Sequence, residues 1–194
     1  MYSDIPQTRD EIVAMYAKKE SHVKKVKTII DATNDMNYAF DIAGLYFEGN
    51  RYGTLLQTWL ERKYGWANIP QVLNEGDFNS PNYDKVELKI SLIRKESTSA
   101  KANFLNLRLE SDAKDYLFIA RNTILDTTKI YFLPKNEVIY IVDMYEEGIR
   151  SKHADGMADL RVCLDGKVFK KHPEVSCRSY LSQFEIAESE LENI

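Results

Sequence analysis

The chain has little of what several enzyme classes require. Its two cysteines, Cys163 and Cys177, are too few and too far apart for a disulfide framework or a zinc knuckle. The eight glycines form no phosphate-cradling loop, and no nucleophile elbow, zincin helix or zinc-finger spacing occurs. No apolar run approaches the roughly 18 residues of a membrane span. The stretch from Met1 to Lys27 is studded with charges and lacks the apolar segment of a secretory signal. A reduced, cytoplasmic setting without a membrane partner is the expectation. No repeat or low-complexity segment is present. Excess positive charge is missing as well. The net charge of −4 argues against nonspecific coating of nucleic acid, though not against a grip through one local basic cleft.

What is present reads as one domain of 194 residues, helical through residue 50 and rich in strands beyond. Thr8 and Glu11 form a capping-box pattern, and Ile12, Val13, Tyr16, Val23, Val26, Ile29 and Ile30 follow at helical spacing. Further helices are expected from about Asp35 to Phe47 and from about Tyr52 to Tyr64, the latter ending at Gly65. Val72-Leu73 and the residues around Asp77-Phe78 read as short strands, with a turn at Asn79, Pro81 and Asn82. Residues 86–93 alternate apolar and polar at the period of a strand. The span from Ser97 to Ser111 suits helix or strand equally. Tyr116–Ala120 and Lys129–Leu133 are near-continuous apolar runs, as central strands covered on both faces would be. A turn at Pro134–Glu137, a strand at Val138–Val142 and an acidic, fraying terminus from Glu185 to Glu192 complete the reading. Helices followed by a strand cluster imply an α+β fold, a central mixed β-sheet flanked by α-helices.

The chemistry concentrates between Gly76 and Lys89. Glu87 and Lys89 lie two apart in a strand, so their side chains leave one face. A hairpin partner carrying Asp77 would set a second carboxylate beside Glu87. Two converging carboxylates repel unless a cation lies between them, and hard oxygen ligands suit Mg²⁺. An adjacent lysine then holds the attacking water, and such a site hydrolyses phosphodiesters. Asp84 rivals Asp77, but it stands an odd number of residues from Glu87 and would face the opposite way in one continuous strand.

These residues resemble the signature of the PD-(D/E)XK nucleases, an acid followed after a short gap by Glu-X-Lys on a strand. The similarity is strongest to the mismatch-repair endonuclease MutH and the restriction enzymes related to it. Gly53-Thr54-Leu55-Leu56-Gln57, Asp77-Phe78 and Val86-Glu87-Leu88-Lys89 occur in the order those proteins show. The match covers residues 50 to 93, with looser support to Leu133. Gly76 replaces the proline of the signature, and Gln57 stands where the look-alikes have a helical glutamate. Glu61, one turn later on the same helical face, offers a carboxylate, and either residue is placed to complete the site.

The resemblance implies a restriction-endonuclease-like fold and a Mg²⁺-dependent cut of duplex DNA at specific sites, leaving 5′-phosphate ends. Asp77 and Glu87 would hold the metal and Lys89 the water. A homodimer reading a palindromic site is one option it carries. A catalytically inactive, nuclease-like DNA-binding or assembly subunit is the alternative. Trp59 reads as core, while Trp66 suits core or base stacking. The segment from residue 146 to the end is locally basic, and Arg150, Lys152, His153, Arg161, Lys170, Lys171 and Arg178 form the candidate DNA-recognition set. Alanine at both Lys170 and Lys171 is expected to weaken DNA binding and flatten its salt dependence. A filter-binding series across salt concentrations checks this, and unchanged affinity would remove the segment from the interface.

Overall fold

The computed structural model describes residues 9–47, 50–93, 101–144, 149–152, 157–163 and 177–194. They fall into two compact units, residues 1–59 and 60–194. The first contains α1 (Arg9–Ala32), α2 (Met36–Tyr46) and most of α3 (Asn50–Tyr64). Thr8 lies outside the described residues. Asp35 caps α2, its carboxylate accepting the Tyr38 amide at 3.0 Å, as an extended aspartate before a helix can. Val26, Ile30, Met36, Phe40, Leu56 and Trp59 are buried, and the Trp59 indole donates to the Thr33 carbonyl at 3.1 Å. Trp59 is therefore core. Ile29 faces solvent, so the apolar stripe of α1 is narrower than its sequence suggests.

The second unit holds a mixed six-stranded sheet and a three-stranded antiparallel sheet. Its strands are β1 (Ala67–Asn68), β2 (Phe78–Asn79), β3 (Val86–Ile93), β4 (Lys101–Arg108), β5 (Asp115–Asn122), β6 (Thr127–Pro134), β7 (Ile149–Lys152), β8 (Met157–Cys163) and β9 (Glu185–Ile186). The large sheet runs β1-β2-β3-β5-β6-β9, and only β3 and β5 pair in parallel. The small sheet runs β4-β8-β7. The α+β architecture with a mixed sheet and helices is thus present. Phe104 and Leu107 of β4 and Leu160 of β8 form one core with Tyr116, Phe118, Leu133 and the helices α4 (Lys135–Met144) and α5 (Cys177–Leu181). The Phe104 and Phe118 rings stack at 4.6 Å across it. Among the described residues no helix is long and apolar enough to cross a membrane.

Four local expectations change, the first being the turn at Pro134–Glu137: strand β6 runs to Pro134 and helix α4 begins directly at Lys135. Val72-Leu73 is a 3₁₀ turn, Gln71–Leu73, with both side chains exposed. Pro70 starts it and left-handed Asn74 ends it, and two β-prone residues without a neighbouring strand cannot pair. Val138–Val142 lies within helix α4: Val138, Ile141 and Val142 are buried while Ile139 and Tyr140 are exposed. The core accepts one stripe at helical spacing, which overrides a continuous apolar run that reads as strand. The acidic terminus does not fray. Its Glu185–Ile186 pairs with β6, and Leu191 and Ile194 are buried behind a 3₁₀ helix, Glu188–Asn193, whose Glu188 meets Lys63 at 2.9 Å.

Gly76 explains why proline is missing from that position. Its φ of +111° is closed to proline, whose ring fixes φ near −65°. A Cβ there would also sit 2.9 Å from the Lys85 carbonyl carbon and the Val86 oxygen, both backbone atoms. Gly76→Ala is expected to cost about 2 kcal/mol or more of folding stability, measured by chemical denaturation.

Candidate active site

The site is built where β2 meets β3. The Asp77 amide donates to the Val86 carbonyl at 2.7 Å, and Phe78 pairs with Val86. Lys85, left-handed at φ 57°, makes the corner, and its amide is received by the Asn79 side chain at 2.8 Å. Phe78 stacks on Trp66 at 4.2 Å with 7° between the rings, so buried Trp66 supports the hairpin and is core, not a base platform. These contacts hold the Asp77 carboxylate, whose Oδ2 accepts the Leu88 amide at 2.8 Å.

In β3, Val86 and Leu88 turn to one face, and Glu87, Lys89 and Ser91 to the other. The parallel register sets Glu87 beside Tyr116 and Lys89 beside Phe118, so this face looks toward β4. Ser91 Oγ accepts the Asn103 amide of β4 at 2.8 Å. Glu87 is fully buried, so Glu87 and Lys89 do not form an ordinary solvated pair. Lys89 Nζ lies 2.6 Å from Glu87 Oε1.

Arg108, at the end of β4, completes the group. Its Nε donates to Glu87 Oε1 at 3.1 Å and its Nη2 to Glu87 Oε2 at 2.5 Å, a two-pronged pairing. The same Nη2 reaches Asp77 Oδ1 at 3.3 Å. One positive atom therefore touches both carboxylates. The Tyr116 hydroxyl donates to the Arg108 carbonyl at 3.0 Å, and burial, followed by the nearby Glu87 charge, keeps that hydroxyl protonated by raising its pKa. Burial is also the main cause that lifts the Asp77 carboxyl from 3.8 to about 6, with Glu87 repulsion next, outweighing Lys89, the Leu88 amide and Arg108.

The sequence points to Asp77, Glu87 and Lys89, and the fold brings the three together. Glu61 accepts from the Asn68 side chain at 2.9 Å, and no group of three or more His, Cys, Asp or Glu side chains that could hold a metal occurs among the described residues. Gln57 belongs to the first unit. Asp84 is an exposed partner of Lys114 at 3.2 Å. Arg150 and Lys152 lie in β7, Arg161 in β8, and Arg178 is exposed on α5. His153, Lys170 and Lys171 lie outside the described residues. Arg108 was missed, though a signal exists: it is the one charged residue between Ala102 and Leu109, and an arginine in so apolar a run calls for a carboxylate partner.

No protein-family model matches the chain, and no curated protein matches its sequence.

Asp77 gives the site a measurable pH signature. With its carboxyl at about 6 in the fold and near 3.8 when unfolded, the native state keeps a proton that the unfolded chain has released between those values. Its contribution to stability is full below that window and is lost as pH rises through it. Relative to Asp77→Asn, which cannot titrate, the wild type is expected to lose stability between pH 4 and pH 7. Urea unfolding at several pH values tests this, and a difference that moves the other way would contradict a raised carboxyl.

Proposed function

We propose that the chain is a Mg²⁺-dependent, site-specific endonuclease of duplex DNA, of restriction type, on a restriction-endonuclease-like variant of its α+β fold. The observation that carries the reading is the convergence of Asp77 Oδ1 and Glu87 Oε2 on one cationic atom, with Lys89 on the same carboxylate. The donor set fits Mg²⁺: both groups are hard oxygens, both are removed from water, and a single cation can reach the two. Bound there, Mg²⁺ would neutralise charge developing on a phosphate and acidify water.

The protein's own contribution is positioning. Asp77 has one oxygen tied to the Leu88 amide, which directs the other toward Glu87's partner cation. Glu87 sits in a strand paired on both sides, so its carboxylate has little freedom to retreat from a second negative group. Lys89 keeps an ammonium at the rim, where it holds an attacking water or a phosphate oxygen by hydrogen bonding. Arg178 and the basic residues of β7 and β8 are the proposed DNA contacts, duplex DNA is the partner, and a homodimer suits a palindromic target.

One observation favours a second reading, a catalytically inactive DNA-binding or assembly subunit. The Arg108 guanidinium already satisfies both carboxylates, as a purely structural ion cluster would require. Turnover separates the two. Incubation with plasmid and phage DNA, methylated and unmethylated, is expected to yield discrete fragments with Mg²⁺ and none with EDTA. Lys89→Ala is expected to reduce the rate by about 100-fold or more. Absence of cleavage on every substrate would favour the inactive subunit, and equal cleavage by Lys89→Ala would move the active centre elsewhere.

A further inference from the structure

We propose that Arg108 is an exchangeable counter-ion: its guanidinium holds the cation position between Asp77 and Glu87 and leaves it when a divalent metal enters. The inference rests on the reading of these two carboxylates as metal ligands. It adds a fourth working residue to the site and makes metal uptake depend on a side-chain movement.

Arg108 Nη2 is within 3.3 Å of Asp77 Oδ1 and 2.5 Å of Glu87 Oε2, oxygens of the two carboxylates that would hold a metal. A dication placed between them would meet that nitrogen at contact distance, and like charges so close in a buried site repel strongly. The four side chains already balance, two negative and two positive, so a metal added without a departure would leave the cluster strongly cationic.

The backbone at Arg108 is not what moves. Its carbonyl accepts the Tyr116 hydroxyl at 3.0 Å, the Ser111 amide at 3.0 Å and Ser111 Oγ at 2.7 Å. The side chain is different. It is 22% exposed, against none for Glu87, so its rotatable stem gives the guanidinium a route to solvent. Lys89 is not the displaced group, because its ion pair is with Glu87 Oε1. The exchange would therefore replace the two-pronged Arg108 pairing and leave Lys89 in place.

The test uses the full chain and MgCl₂ as the probe. Isothermal titration is run on the wild type, Arg108→Gln and Glu87→Gln, and the Arg108 Nε–H resonance of the wild type is followed during the same titration. Arg108→Gln is expected to bind Mg²⁺ about tenfold more tightly than the wild type or better, and Glu87→Gln to lose binding. In the wild type, the Nε–H signal is expected to shift and exchange faster with water as Mg²⁺ is added. Equal affinity in wild type and Arg108→Gln, with the Nε–H signal unchanged at saturation, would overturn the exchange while leaving the metal site standing. No binding by either protein would overturn the metal reading and the exchange together. Should Arg108→Gln fail to fold, the wild-type Nε–H signal decides alone.

Discussion

Two carboxylates removed from water beside one another need positive charge within reach, and the second unit is organised around supplying it. Glu87 is fully buried on β3 and Asp77 nearly so at the head of the hairpin. Arg108 comes from a different sheet to meet both, while Lys89 comes from the same strand as Glu87. Breaking a buried cluster of this kind by removing one member leaves an uncompensated charge, a loss of about 3–5 kcal/mol in comparable cases. The cluster therefore ties the large sheet to the small one through Arg108, and loss of any member leaves its partners' charge buried.

The apolar surroundings set how far that coupling can flex. Phe104 on Phe118, and Trp66 on Phe78, place close-packed rings on the elements that carry Arg108 and Asp77. A register shift in β4 between Phe104 and Leu107, with Asn106 left-handed and its amide received by Asp159, changes the phase of the strand just before Arg108. Gly76 lets the hairpin close against the backbone of residues 85 and 86. Each feature constrains backbone positions. Arg108 and Lys89 both reach water, but only Arg108 touches both carboxylates, so electrostatic rearrangement between the two carboxylates has to pass through it.

Much of this was legible beforehand, and unevenly so. The alternation over residues 86–93 marks β3 at its observed limits, because a strand between two covered faces needs strict alternation once charges lie on one of them. The cap at Asp35 and the left-handed Gly65 delimit α2 and α3 by local backbone chemistry. Residues 138–142 misled because an apolar, β-branched run satisfies strand and helix alike. What decided was the surface against which it packs. The terminal acidic stretch misled because the charges are numerous, whereas the anchoring residues, Leu191 and Ile194, are few.

The sequence alone determined the strand carrying Glu87 and Lys89, their shared face, and Asp77 as the acid able to join them, because residue period and hairpin spacing are local properties. It could not determine that this face would be buried, nor that Arg108 would lie across it. Those follow from a contact between sheets, β3 against β4, whose partners are 21 residues apart and meet only through the tertiary fold. Burial then sets the electrostatics. The same carboxylates on a solvated strand would be unremarkable, and enclosed beneath the second sheet they require a cation.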